Sequence, residues 1–228
     1  MKQSRSRSLH LRYSPDLSPE RYSQVLGFDW PSFDAPVDVK PHMALENHLL
    51  MGPRDVSAIR RSWGLINDPR QPRAVLLLAE RVFAALASRA PDVSSVFIRH
   101  KFVEQMTSGG RRKKFMCSEG DHLKFTAWLV NELVRNLDAE GAPIVRIIAQ
   151  YGAHHKKLEG IGFRKKMFEL FGLSFMEAVA ARCPVKGNRY AAKAWNLLIS
   201  GLVDALTSQY DKPMLFANSC GNLHLNVH

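Results

Sequence analysis

The sequence predicts an all-α fold. Through most of residues 53–211, apolar side chains recur every three or four residues, which is the spacing of one face of an α-helix. No stretch alternates apolar and polar residues as a half-buried strand does, and no internal repeat is visible. Prolines and glycines separate the periodic stretches, as connections between helices require. These observations predict a bundle of seven or eight helices.

The predicted helices follow one another with clear breaks. A capping box formed by Ser118 and Asp121 opens one of them, and Pro91 begins a short helical turn over residues 91–97. A basic, glycine-containing corner is expected from residue 99 to residue 117. The longer helices are expected at residues 55–66, 73–88, 118–138, 144–161, 163–183 and 190–210.

The two ends of the chain are expected to lie outside the helical domain, which spans residues 53–211. Residues 1–52 contain five prolines and no sustained helical period, so we expect a mostly irregular N-terminal extension. Residues 212–228 form a short C-terminal tail. Basic and acidic residues balance in the extension, and the last sixteen residues carry neither. The net charge of +11 therefore arises between residues 53 and 212.

Composition excludes several classes of protein. No apolar run approaches the roughly 20 residues that span a bilayer, so no membrane span is expected. The N-terminus lacks the apolar core of a secretory signal, and Lys2 does not fit the usual myristoylation start. The three cysteines, Cys117, Cys183 and Cys220, are too few for a disulfide framework. We therefore expect a cytoplasmic protein.

Two histidines are placed on apolar helix faces. His155 shares its face with Tyr151 and Leu158, and His122 heads a face that continues through Thr126 and Leu129. A buried imidazole is costly unless its nitrogens find partners, and a metal ion is one such partner. No third ligand joins the pair on these faces, so a tetrahedral zinc site lacks donors. Haem iron needs only one or two axial imidazoles, which is what the sequence offers.

The order and spacing of several residues resemble a globin over roughly residues 53–210. Pro91 followed six residues later by Phe97 is similar to the start of the family's third helix and its haem-stacking phenylalanine. Gly152, two residues and His155 resemble the signature that ends at the proximal ligand. The residues that carry the resemblance are Trp63, Pro91, Phe97, His122, His155, Ile161 and Trp195.

The resemblance implies a site for haem b. His155 is the expected proximal iron ligand and His122 the distal one, and Ile161 takes the place of an aliphatic residue against the haem face. Thr126 stands where the family usually has valine, and Arg99 is placed to pair with a haem propionate. One departure is that Phe83 lies eight residues before Pro91, farther than is usual. It leaves open whether Ala79 or Phe83 faces the ligand pocket.

The extension, the long corner before His122 and the neutral tail resemble the divergent nematode and neuroglobin-like branch. This implies a bis-histidyl, six-coordinate globin that acts in electron transfer or redox and gas sensing rather than oxygen storage. Diatomic gases (O2, CO and NO) then compete with His122 for the iron. No enzyme activity is expected beyond incidental redox reactivity. One alternative is a five-coordinate oxygen-binding globin in which His122 donates a hydrogen bond to the ligand.

Three further interpretations come from single features. One alternative is that His155 is a core histidine that binds no metal. Another is that His154, and not His155, faces inward as the proximal ligand. The basic clusters Arg99 with residues 111–114, and residues 156–166, predict either a solvated surface or a rim that attracts an acidic redox partner. A haem-free basic helical interaction module is a remote alternative, and no pattern typical of nucleic-acid binding supports it.

Overall fold

The computed structural model describes residues 51–68, 70–71, 73–107, 118–138, 143–182 and 184–211. These residues contain seven α-helices and one turn of 3-10 helix, with no strand, so the predicted all-α class is confirmed and the arrangement is consistent with a globin fold. The helices are α1 Pro53–Ile66, α2 Ala74–Arg89, α3 Asp92–Thr107, α4 Glu119–Arg135, α5 Pro143–Lys156, α6 Lys166–Ala180 and α7 Arg189–Tyr210, and the 3-10 turn is Glu159–Ile161.

The third helix is longer than predicted. A short turn over residues 91–97 was expected, but α3 has 16 residues and continues to Thr107. The reason is that no proline or glycine interrupts the chain between Pro91 and Gly109. Apolar side chains lie on more than one face of this helix, which hides its period. The expected basic cluster at residues 111–114, Cys117, the extension up to residue 50 and the tail from residue 212 lie outside the described residues.

Capping interactions fix where α4 begins. The Ser118 hydroxyl accepts a hydrogen bond from the Asp121 backbone N–H at 3.1 Å, and the Asp121 carboxylate accepts one from the Ser118 N–H at 3.4 Å. This is the predicted capping box, which satisfies N–H groups that the first helical turn leaves without partners. The same cap places His122 one turn into the helix with the Ser118 carbonyl beneath its ring.

Helix α7 lies at the centre of the packing. It contacts α1, α5 and α6, and its Trp195 is fully buried. The Trp195 indole N–H donates to the Ser62 hydroxyl at 2.8 Å, and the Trp63 indole donates to Asn131 at 3.2 Å. Buried indoles need such partners because an unsatisfied donor costs free energy. The two hydrogen bonds tie α1 to α7 and α4 across the core.

Helices α5 and α7 approach each other most closely at Gly152. A Cβ atom at this position would lie 2.4 Å from the backbone oxygen of Leu206, so only glycine fits. The close contact sets the position of the whole α5 helix, and His155 follows Gly152 by less than one turn.

In the described part of the chain, none of the helices is both long and apolar enough to span a membrane.

Candidate functional site

A mostly apolar cavity lies among α2, α3, α4, α5 and α6, with one contact from α7. His122 and His155 enter it from α4 and α5. Its volume is about 80 Å³. The lining side chains are Phe83, Leu86, Val93, Val96, Phe97, His100, His122, Phe125, Thr126, Leu129, Tyr151, His155, Leu158, Phe163, Met167, Phe168, Phe171 and Leu206.

The two histidines face each other from different helices. Their ring centres lie 6.2 Å apart, and the ring planes stand at 89° to each other. Both residues are buried, with exposed fractions of 7% for His122 and 6% for His155. Histidines on separate helices come this close because each occupies the inward face of its helix, opposite the other.

The backbone fixes the tautomer of both rings. The Nδ1 of His122 lies 3.0 Å from the Ser118 carbonyl, and the Nδ1 of His155 lies 2.8 Å from the Tyr151 carbonyl. A carbonyl oxygen can only accept, so Nδ1 carries the hydrogen in each ring. The lone pair then belongs to Nε2, which is the nitrogen left to bind a metal. A carbonyl that accepts from the other ring nitrogen is the usual outer partner of a metal-binding histidine.

Burial keeps both imidazoles neutral near pH 7. The pKa of His155 is lowered to about 3, first by desolvation and then by the nearby His122, against the opposing effect of its hydrogen bond to Tyr151. Desolvation likewise lowers the pKa of His122 to about 4, although its hydrogen bond to Ser118 acts in the opposite direction. A neutral imidazole with a free lone pair is the form that ligates metal ions. Burial also raises the pKa of Tyr151, so its hydroxyl stays protonated.

The spacing of the rings fits one metal atom between them. An imidazole nitrogen binds a transition metal at about 2 Å and lies roughly 1 Å from its ring centre, so two imidazoles on opposite sides of one metal have ring centres roughly 6 Å apart. The observed 6.2 Å matches this requirement.

Within the described residues, no group of three or more His, Cys, Asp or Glu side chains comes together to hold a metal ion by themselves.

The lining also suits a flat apolar cofactor, with one adjustment. Its side chains are predominantly apolar, as in pockets that bury most of a ligand. The volume of about 80 Å³ is smaller than a porphyrin, so some lining side chains must move apart to admit one. Phe97, Tyr151 and Phe171 are the half-buried aromatic residues of the lining. The axial donors and the apolar walls thus fit a haem.

The structure brings four of the six predicted site residues to the cavity. His122, His155, Phe97 and Thr126 all line it. The Phe97 ring lies 4.7 Å from the His122 ring, and Thr126 follows His122 by one helical turn. Phe83 lines the cavity and Ala79 does not, although Ala79 is buried.

Arg99 and Ile161 do not line the cavity. The Arg99 guanidinium donates to the Ile161 carbonyl at 3.1 Å, and so connects α3 to the turn after α5. Gly162 has a φ of +103°, and a Cβ there would lie 2.9 Å from the same guanidinium. Arg99 therefore stabilises the left-handed turn that follows His155. Its contact with a cofactor, like that of Ile161, remains a prediction.

Several residues around His155 were not predicted as part of the site. Its ring is enclosed by Tyr151 at 4.3 Å, Phe163 at 4.7 Å and Phe168 at 5.3 Å between ring centres. Tyr151 precedes His155 by four residues on the same helix face, which the sequence indicates. Phe163 and Phe168 follow in the next turn and helix, so only tertiary packing shows their contact. Three aromatic neighbours hold the His155 ring in one orientation.

A second pair of histidines lies beside the first. His100 is buried, lines the cavity and has its ring 6.2 Å from that of His154. His154 is half buried, and burial lowers its pKa to about 4, with His100 as a further cause. The spacing of His100 three residues after Phe97 would have identified it as an inward residue if α3 had been predicted at its full length.

Comparison with known proteins bears on this arrangement. No family model matches the chain. It is 27% identical over 154 residues to globin-like protein 9 of Caenorhabditis elegans and 26% identical over 154 residues to globin-like protein 9 of Caenorhabditis briggsae. These similarities support a divergent relationship to the globin family. Each match covers 68% of this chain, which spans about three fifths of the length of these curated relatives (59% and 60%).

Proposed function

We propose that the chain binds haem b between α4 and α5, with His155 as the proximal and His122 as the distal iron ligand. The supporting observation is the spacing of the two rings, 6.2 Å, with both Nδ1 atoms already committed to backbone carbonyls. When bound, haem supplies an iron that exchanges single electrons and takes diatomic gases. The relationship to globins supports a haem-binding role in general.

In this proposal the two histidines would hold the iron of a six-coordinate haem, and a backbone carbonyl orients each imidazole. The Tyr151 carbonyl orients the His155 imidazole and makes its Nε2 a stronger electron-pair donor to a metal. Neighbouring aromatic rings fix the plane of the imidazole. The Ser118 carbonyl likewise orients the His122 imidazole from the capped start of α4. Because a backbone carbonyl orients each imidazole, an iron held by both would change charge with little rearrangement of these two side chains. This arrangement suits electron transfer or redox and gas sensing better than oxygen storage.

Gas binding then depends on the movement of His122. With haem bound, O2, CO and NO would compete with His122 for the iron, so their apparent affinity would be the intrinsic affinity reduced in proportion to the fraction of protein in which His122 is withdrawn. Withdrawal strains or breaks the hydrogen bond between its Nδ1 and the Ser118 carbonyl. Thr126, one turn along α4, is the nearest hydroxyl-bearing residue of the lining on this helix. The position of His122 would therefore differ between the gas-bound and gas-free protein, as a gas sensor requires.

We further propose that the protein acts as a carrier or sensor in the cytoplasm and not as an enzyme. An acidic redox partner is the expected protein contact. Lys157, Arg164 and Lys166 are exposed near the turn that follows α5, whereas Lys156 and Lys165 are paired with Glu159 and Asp211. Exposed cations of this kind raise the rate at which an acidic protein meets the surface.

Haem titration of single variants tests the proximal assignment. We expect the wild-type chain to bind one equivalent of hemin with a sharp Soret band, and His155→Ala to lose stable retention of haem. His154→Ala is the matched control, because it removes the adjacent imidazole from the same helix and should retain the cofactor. Equal retention by His155→Ala and the wild type, or loss confined to His154→Ala, would overturn the assignment.

A further inference from the structure

One face of α3 exposes a row of large apolar side chains. Ile98, Phe102 and Met106 are 70%, 60% and 71% exposed. They are four residues apart, so they form one continuous ridge along the helix, here called the α3 stripe. Of the eight large apolar residues that are exposed in the described part of the chain, four lie on α3. Such clustering distinguishes the stripe from single surface residues, which need no explanation.

The stripe lies on the side of α3 that points away from the cavity. Val93, Val96 and His100 are buried on the opposite face, and Phe97 and His100 line the cavity. At about 100° per residue, the ridge is centred almost diametrically across the helix from these buried positions. The helix therefore has its own core-facing side, and the stripe is an additional apolar surface.

Basic residues border the stripe on both sides. Lys101 lies exposed on one margin. Arg99 lies on the other margin and is also exposed, but its guanidinium donates to the Ile161 carbonyl. Long basic side chains can extend past an apolar ridge and place their charges at its edge. An apolar ridge with cations at its margins is typical of helices that lie in the interface of a membrane. The chain as a whole carries a net charge of +11, which attracts anionic surfaces.

The shape and the charge argue against other occupants. A second copy of the chain would bring two charges of +11 together. An electron-transfer partner needs to approach the cofactor, but the body of α3 separates the stripe from the cavity. The stripe is also convex, so a protein partner would need a groove to receive it, whereas a lipid surface adapts to a ridge.

We propose that the α3 stripe docks the protein on a membrane surface that contains anionic lipids. Ile98, Phe102 and Met106 enter the boundary between headgroups and acyl chains, and Lys101 contacts the phosphate and carboxylate groups beside them. The helix lies parallel to the surface and does not span it. The inference is independent of haem ligation, because none of the three stripe residues lines the cavity.

Vesicle binding by the full chain, loaded with haem where it binds haem, tests this inference. The protein is mixed with vesicles of phosphatidylcholine alone or of phosphatidylcholine with phosphatidylserine, and the bound fraction is measured by sedimentation. We expect binding to the mixed vesicles that weakens as salt is added, and much weaker binding to the neutral ones. Absence of binding to the mixed vesicles at low salt would overturn the proposal.

Matched variants distinguish vesicle binding through the α3 stripe from nonspecific binding by other exposed apolar or basic residues. Phe102→Ser should weaken binding to the mixed vesicles about tenfold, whereas Leu173→Ser, on α6 and equally exposed at 60%, should leave it unchanged. Lys101→Gln should weaken binding to the mixed vesicles about fivefold, and Lys186→Gln, in the loop before α7, should change it far less. Equal effects of the paired variants would contradict the proposed surface.

Two further readouts distinguish the other occupants. Sedimentation velocity without lipid would show a dimer that Phe102→Ser dissociates if the stripe binds a second copy, and that result would overturn the proposal. Binding of soluble polyglutamate that Phe102→Ser weakens, without vesicle binding, would instead indicate an acidic protein partner and would also overturn it. Met106→Ser serves as a second stripe variant, and unchanged thermal unfolding of both variants shows that the fold is retained.

Discussion

At the scale of single residues, the candidate site is determined by how two imidazoles are held. Each of His122 and His155 donates its Nδ1 hydrogen to the carbonyl one helical turn earlier, so Nε2 is the ring nitrogen that keeps its lone pair in both residues. His155 is further enclosed by aromatic rings, whereas the closest ring to His122 is that of the half-buried Phe97. The asymmetry explains why His155 is the proposed permanent ligand and His122 the one that moves.

The different roles of the two histidines lead to a ligand-binding prediction. If His122 occupies the iron in about 90% of the reduced protein, His122→Ala raises the apparent affinity for carbon monoxide about tenfold, because no imidazole has to be displaced. The measurement is a carbon monoxide titration of the reduced protein followed in the Soret region. His154→Ala is the control and should leave the affinity unchanged. An unchanged affinity in His122→Ala would exclude a distal ligand role for this residue.

At the scale of helices, the position of α5 depends on its close contact with α7. Gly152 allows the two backbones to approach, and His155 follows on the same helix. Leu206, the residue whose backbone faces Gly152, also lines the cavity. The contact therefore limits how far α7 can lie from the helix that carries His155.

Substitution of Gly152 tests this contact. Gly152→Ala should lower the free energy of unfolding by about 1–3 kcal/mol, because its Cβ would lie 2.4 Å from a backbone oxygen that cannot move without shifting a helix. Gly64→Ala is the matched control: it also lies inside a helix, has nothing within 4 Å of the added Cβ, and should raise stability by about 0.5–1 kcal/mol. Urea unfolding measures both. A neutral effect of Gly152→Ala would mean that α5 and α7 are less closely packed than described.

The length of helix α3 differs from the length that the sequence pattern predicts. Its buried face at Val93, Val96 and His100 follows the helical period, but the α3 stripe adds apolar residues on the opposite side. With both faces apolar, the sequence offers no single stripe from which to read a helix, and the early proline suggested a short turn. The same feature that obscured the helix is the one that distinguishes its surface.

At the scale of the whole molecule, helix positions follow from local signals and the site follows from how helices meet. The sequence predicts the breaks between helices from proline and glycine, and it predicts the capping box at Ser118. It also predicts that His122 and His155 lie on the inward faces of their helices. The contact of Arg99 with the Ile161 carbonyl is not predicted, because it joins residues 62 positions apart. The contacts of His155 with Phe163 and Phe168 likewise depend on how the chain after α5 folds back, which no local pattern specifies.

The visible absorption spectrum of the purified, haem-loaded protein, reduced under nitrogen, tests the central claim most directly. Two imidazoles on one iron, as the 6.2 Å ring spacing favours, predict sharp and well-separated α and β bands. The His122→Ala variant, recorded beside it, should lose this splitting. A single broad band in the wild-type spectrum would show that His122 does not bind the iron, and the absence of a Soret peak after addition of hemin would contradict the haem site itself.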